Sequence, residues 1–358
     1  MKQFQKIIRQ HSRNYPLMQP QDVAKLLYQN EFGPGHFVED SAVSLKRLQE
    51  EYRISQTNTS PFPIENIGNG FVRYAVFQLK ADELEVLNRI FATTANRKTG
   101  DRKSYEQKLK QVLSDFDAYG FSFTKQQYIR FIEEQKRKDY LVVSHSEQYR
   151  RNYQPAYRVI DEKYVPFIPM LVRLESKWKQ VKNKRFIVGI DGNSAAGKTT
   201  LSQCLLKLYP CEVIHMDDFF LPQDLRTEER LKEPGGNVHY ERFAEEVKQG
   251  IQNEKEFSYR IFSCHKMDYA GIRKISASDM LVIEGAYSMR PEFMELYDYK
   301  IFMRIKEEMQ LQRIRERNGA ELCEIFKNKW IPMENRYFQA FEVEKNCDYV
   351  IEEGGNLG

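Results

Sequence analysis

Ten residues, DGNSAAGKTT at 191–200, constrain this chain more than any others. Gly192, Gly197, Lys198 and Thr199 satisfy the spacing G-x-x-x-x-G-K-[ST]. The apolar run FIVGI at 186–190 stands in front of them and the apolar-periodic LSQCLLKLY at 201–209 behind. Strand, loop and helix in that order are the context in which such a loop wraps a phosphate. The two glycines let backbone N–H groups turn inward, and the positive end of the following helix adds to their pull on an anion. Gly192, Asn193, Ser194, Ala195, Ala196, Gly197, Lys198, Thr199 and Thr200 are therefore the expected nucleotide cradle. Lys198 would reach the terminal phosphates and the Thr199 hydroxyl would hold magnesium, so ATP and Mg2+ are the expected cofactors.

At 358 residues the chain exceeds what one core comfortably supports, and two domains are expected. The first, 1–180, reads as mostly helical, with apolar positions at helical spacing in 2–12, 20–30, 41–53, 82–94, 102–116 and 124–137. One strand candidate, FVRYAVFQL at 71–79, interrupts it, and NEFGPGHF at 30–37 and SQTNTSPFPIENIGNG at 55–70 read as loops. VKNKR at 181–185 reads as the linker to the second domain, 181–358. There short apolar runs at 186–190, 212–216, 280–283, 299–303 and 347–351 alternate with helical patterns at 198–208, 239–251, 306–317 and 321–345. That rhythm predicts an α/β fold: a mainly parallel sheet with helices on both faces, preceded by the helical domain.

Charge and cysteine content exclude several classes of function. Residues 1–180 carry 29 Lys and Arg against 21 Asp and Glu, a net +8, while 181–358 carry 26 against 30, a net −4. The basic residues of the first half are dispersed rather than clustered, so nucleic acid is not an expected partner. Five cysteines, widely spaced, form no zinc pattern. There is no apolar run of membrane-spanning length and no apolar signal core at the N-terminus, and the expected location is the cytoplasm. The oligomeric state is left open, a homo-oligomer included.

Ligands of parallel sheets bind at the carboxyl ends of the strands, where this sequence carries acids. Asp191 ends the first run, Asp217 and Asp218 follow the second, and Glu284 follows MLVI. Magnesium needs oxygen ligands beside the phosphates, and a hydroxyl acceptor needs a carboxylate to take its proton. Asp217 and Glu284 fit those two tasks. In QLQRIRERNG at 310–319, Arg313 and Arg317 are four residues apart and share a helix face, so both guanidinium groups can close over the same phosphates as a lid. A solvated helix face pairing with Glu307, Glu308 and Glu316 is the plainer alternative.

Taken in order, GIDGNSAAGKTTLS, HMDDFFLP, LVIEGAYS and the arginine segment resemble the uridine kinase and phosphoribulokinase group of P-loop kinases over about 186–351, roughly half the chain. EPGGNVHYERF at 233–243 and WIPMENRYF at 330–338 resemble segments of bacterial uridine kinase-like proteins. The resemblance implies nucleotide binding by Gly192 to Thr200, Asp217 as catalytic base, Glu284 near magnesium, and Arg313 and Arg317 in a lid. The implied acceptor is a small-molecule hydroxyl, foremost a nucleoside such as uridine, with a pentose phosphate, a pantothenate-like molecule or another hydroxyl compound as alternatives. The match departs at the acceptor side: His239 stands where an Asp is expected, and Tyr259 and His265 align only loosely with the Tyr and His that flank the base. Tyr259 and Phe262 serve equally well as hairpin packing, and His215 as a structural histidine.

A nucleotide-driven switch with the first half as its output domain is the alternative, although neither an N-K-x-D nor an L-S-G-G-Q element is present. In the first half, FGPGH with His36, and SHSEQYRRNYQPAYR with His145, Arg150, Arg151 and Arg158, can form an anion pocket or simply set loop geometry with the arginines solvated.

Overall fold

Strands buried on both faces read as continuous apolar runs, and the second half of the chain supplies them. In the computed structural model Phe186–Gly192 (β4) and Met280–Glu284 (β8) are buried at every position. Residues 2–35, 37–55, 62–77, 79–97, 99–253 and 256–353 are described; His36, named above, lies outside them. The chain divides into two units, Met1–Ile168 and Pro169–Gly358.

In the first unit, helices span Lys2–Asn14, Pro20–Phe32, Ser41–Ser55, Leu84–Ala95, Arg102–Ser114, Lys125–Arg137 and Glu147–Tyr153. Side-chain caps set several of their starts: Asp101 accepts the Ser104 N–H at 2.9 Å, and Thr124 and Gln127 cap each other's backbone. Three strands, β1 Ile64–Gly68, β2 Phe71–Ala75 and β3 Tyr157–Asp161, form an antiparallel sheet in the order β1-β2-β3. The expected strand at 71–79 is thus its centre. Of its neighbours, β1 falls inside the segment read as a loop at 55–70, and β3 begins at the end of SHSEQYRRNYQPAYR and runs past it. The core gathers Val23, Leu27, Phe71, Leu109, Tyr128 and Val159.

In the second unit a five-stranded parallel sheet runs β10-β9-β4-β8-β5, with β5 Cys211–His215, β9 Tyr299–Ile305 and β10 Tyr349–Glu353. A separate antiparallel hairpin, β6 Phe257–Ser263 and β7 Asp268–Ile275, precedes β8. Register aligns the carboxyl ends: His215 pairs with Glu284, Ile190 with Glu284, and Gly192 with Met303. The charged residues that follow these strands therefore emerge along one edge. Helices Lys198–Leu208, Glu307–Ile325 and Ile331–Ala340 flank the sheet, and Gly319 leaves helical geometry inside the second of them.

Asp191 is fully buried at the end of β4, and all of its hydrogen-bonding capacity is spent on the fold. Oδ1 accepts the N–H of Gly192 at 2.7 Å and of Tyr287 at 3.1 Å, while Oδ2 accepts the N–H of Met289 at 3.0 Å and the Tyr337 hydroxyl at 2.9 Å. Next to it Gly192 adopts φ +138° with Met303 pressed against it; a Cβ there would sit 2.1 Å from the Met303 carbonyl oxygen. Only glycine fits both the angle and the space.

Asp191→Ala would leave three N–H groups and one hydroxyl unpaired in a dry interior. It is expected to cost at least about 3 kcal/mol in denaturant unfolding. An unchanged midpoint would mean the carboxylate does not hold these segments.

Candidate functional site

Residues 193–197 form a loop between β4 and the helix Lys198–Leu208, with Gly197 at the helix N-cap and Ala195 at φ 62°. This loop forms part of the wall of a cavity of about 890 Å3 that Ser194, Ala195, Gly197, Lys198, Thr199 and Thr200 help to line. Asp217, Glu284, Arg313 and Arg317 line the same cavity. Volume and location fit a small-ligand cleft at the carboxyl edge of an α/β sheet.

Lys198 is buried and its Nζ donates to the carbonyl oxygens of Gly192 at 2.7 Å and Asn193 at 2.8 Å. The ammonium is thereby parked over the loop. The Thr199 hydroxyl donates to Glu284 Oε1 at 3.1 Å, and His215 Nδ1 stands 2.6 Å from the same oxygen. The hydrogen bond that His215 donates to Glu284 holds the His215 pKa above its ordinary value despite the opposing effect of burial. Asp217 is open to the cavity yet ringed by protein. Desolvation raises its carboxyl above the usual range and nearby Glu284 adds to the rise, against Lys198 and His215. A carboxylate so placed is better matched to proton transfer near neutral pH than a free one.

The donor set suits a nucleotide with magnesium. A hydroxyl and a carboxylate oxygen side by side at Thr199 and Glu284 are hard ligands of the kind magnesium takes. Among the described residues no group of three or more His, Cys, Asp or Glu forms a self-sufficient metal cage.

The arginine segment and the loop are already in contact. Arg313 Nη1 donates to the Ala195 carbonyl at 3.2 Å, and Gln310 Nε2 to the Ser194 carbonyl at 3.1 Å. Arg317 lines the cavity with its Nε on Asn318 Oδ1 at 2.8 Å. Glu334, 4% exposed, takes the Ser194 N–H on Oε2 at 3.0 Å and the Ser194 hydroxyl on Oε1. Burial raises its pKa, against the pull of Lys198. Nothing in the spacing around 334 signals this contact, which joins residues 140 positions apart. Asn237, also 4% exposed, lines the cavity with both amide atoms lacking a hydrogen bond among the described residues; Tyr287 stands beside it, outside bonding geometry. A buried amide left open toward a cavity is a ready contact for a polar ligand.

The other acceptor-side candidates lie apart from this lining. Tyr259 is 1% exposed, donates to Asp218 Oδ2 at 2.8 Å and stacks on Phe219. His239 caps the short helix Tyr240–Phe243, with Nδ1 accepting the Arg242 N–H at 3.2 Å. His265 is exposed in the turn between β6 and β7, where its neighbours Cys264 and Met267 reach the cavity.

No protein-family model matches the chain. It is 33% identical over 142 residues to nicotinamide riboside kinase 2 of Mus musculus, a match covering 37% of this chain and 68% of that protein. It is 26% identical over 194 residues to uridine kinase of Streptococcus gordonii, covering 49% of this chain and 90% of that one. Among solved structures, D-glycerate 3-kinase from Cryptococcus neoformans matches at 15% identity and TM-score 0.38, over 55% of this chain and 97% of that one.

The His215–Glu284 pair makes a pH prediction. Because the folded pKa of His215 is raised, the stability it contributes is complete below the unfolded value of about 6.5 and is lost as pH rises through the folded value. Glu284→Gln is expected to lower the His215 midpoint in an NMR titration; an unmoved midpoint would remove Glu284 as the cause.

Proposed function

Since the C-terminal half of the chain belongs to the uridine kinase and nicotinamide riboside kinase group of P-loop kinases, we propose that the protein transfers the terminal phosphoryl group of ATP to a hydroxyl of a nucleoside, uridine or a related riboside. The observation that carries this reading is the convergence of Lys198, Thr199, Asp217, Glu284, Arg313 and Arg317 on one cavity of about 890 Å3. A switch needs a phosphate loop, but has no use for a carboxylate and an open amide on the far side of it.

Bound ATP with magnesium supplies the phosphoryl donor and neutralises part of its charge. The loop N–H groups and the N-terminus of the helix Lys198–Leu208 hold the phosphates. Lys198 leaves the Gly192 and Asn193 carbonyls to reach them, while Thr199 and Glu284 supply hard oxygens for the ion. Arg313 and Arg317 close from the helix Glu307–Ile325, excluding water and balancing charge. Asp217 accepts the proton of the acceptor hydroxyl, its raised pKa supporting that task. Asn237 and Tyr287 offer polar contacts to the sugar or base.

The test is ADP release with MgATP across uridine, cytidine, nicotinamide riboside, pentose phosphates, glycerate and pantothenate. A riboside is expected to stimulate release. Lys198→Ala and Asp217→Asn are each expected to cut that stimulated rate by about 10²–10⁴-fold. If Asp217→Asn keeps near-parental turnover, the base is elsewhere. If ATP binds and no acceptor stimulates release, the transfer reading fails.

A further inference from the structure

The first unit holds a second cavity, of about 610 Å3, whose polar lining includes Lys25, Gln29, Arg47, His145, Tyr157 and Arg158. Apolar Phe37, Val43 and Val142 also line it and are themselves exposed, the composition of a mouth that accepts an apolar body. Of the basic residues singled out in SHSEQYRRNYQPAYR, His145 and Arg158 lie here, while Arg150 and Arg151 are exposed and do not line it.

Behind the lining runs a buried polar chain. Asp22, 1% exposed, accepts the Ser146 N–H at 2.9 Å on Oδ1 and the Ser146 hydroxyl at 2.6 Å and Gln19 N–H at 2.9 Å on Oδ2. Oδ1 also faces His145 Nδ1 at 3.0 Å. Although burial acts to raise it, these hydrogen bonds hold the Asp22 carboxyl below the usual range. A charged Asp22 fixes the imidazole proton on Nδ1 and leaves Nε2 as an acceptor for the Tyr157 hydroxyl at 2.6 Å. Burial, chiefly, pushes the His145 pKa down to about 4, so the ring is neutral. Gln29 Nε2 donates to the Tyr157 oxygen at 3.2 Å, and Gln29 Oε1 accepts Arg73 Nε at 2.9 Å. A fold needing only packing here would be served as well by apolar side chains, without the cost of desolvating these groups.

Charge on the lining is unevenly committed. Asp40 caps the helix Ser41–Ser55 through the Ala42 and Val43 N–H groups, and Glu51 is forked by Arg158 at 2.5 and 3.1 Å. Exposed Glu39 is the remaining acid. Lys25 donates to the Val143 carbonyl at 3.2 Å and makes no ion pair among the described residues. Burial lowers its pKa to about 8, and the neighbouring Arg73 charge adds to the effect. Asp22 offsets only part of this, so Lys25 holds a partly desolvated charge beside an open volume, where an anion would favour the charged form.

We propose that this cavity binds a small organic anion, a carboxylate or phosphate monoester on an apolar body. Lys25 and Arg47 receive its charge, and the Tyr157 hydroxyl, polarised by His145 and Asp22, meets a polar group on it. Every residue invoked lies in Met1–Ile168, so the proposal stands apart from the phosphate loop.

The test is isothermal titration of the full chain carrying Lys198→Ala, which weakens phosphate binding at the other cavity, with phenyl phosphate, benzoate and neutral benzyl alcohol. At least one anion is expected to saturate and the alcohol not; which anion does so separates a phosphate ester from a carboxylate. Adding Lys25→Met is expected to weaken that binding at least tenfold, Tyr157→Phe several-fold, and Lys25→Arg or Arg150→Ala little. Should Lys25→Met fail to fold, Arg47→Met carries the same expectation. The proposal is overturned if neither anion saturates below about 10 mM, if benzyl alcohol binds as well, or if folded Lys25→Met, or Arg47→Met in its place, binds as the parent does.

Discussion

The second unit depends on a carboxylate that never meets solvent. Asp191 draws its four donors from the phosphate loop, from Tyr287 and Met289 after β8, and from Tyr337 in the helix Ile331–Ala340. Burial alone would drive such a group to its neutral form, and its raised pKa records that pressure. The donors offset it, and their positions are fixed in return. The loop 193–197 therefore starts from a rigid point, and the backbone after β8 is held at the same point.

Features set by local spacing were legible in the sequence. The phosphate loop, the five parallel strands and most helix bounds follow from residues close in the chain, where periodicity and glycine placement act directly. The helical patterns at 306–317 and 321–345 even anticipate the break at Gly319. The first sheet was harder to read. Asn69 and Gly70, both at positive φ, form a tight reversal between β1 and β2, and that Asn-Gly signal lies inside a stretch whose Pro, Ser and Thr content speaks for loop.

Contacts across long separations left no such trace. Glu334 on Ser194, Asn237 in the cavity wall and the chain through residues 22, 29, 73, 145 and 157 are each assembled by tertiary packing. For the first two no window of sequence holds enough to mark the contact; of the third, the stretch 144–158 supplied His145 and Tyr157 but not their partners at 22, 29 and 73. Tyr259 shows the converse: its place in the hairpin was readable, whereas its neighbour Asp218 and its stacking partner Phe219 came from another strand end. Polar residues that end buried and satisfied look, in sequence, like those that end in a site.

The break at Gly319 separates two grips on one residue. On its N-terminal side Gln310 holds the Ser194 carbonyl and Arg313 the Ala195 carbonyl; on its C-terminal side Glu334 holds the Ser194 amide and hydroxyl. Ser194 is thus pinched like a bead between two jaws on a common arm. Each residue added or removed within the helical stretch on either side of the break turns that jaw by about 100° about its own axis. Length within each helical stretch is therefore as strictly set as chemistry, while the break at Gly319 is where a changed count would be absorbed.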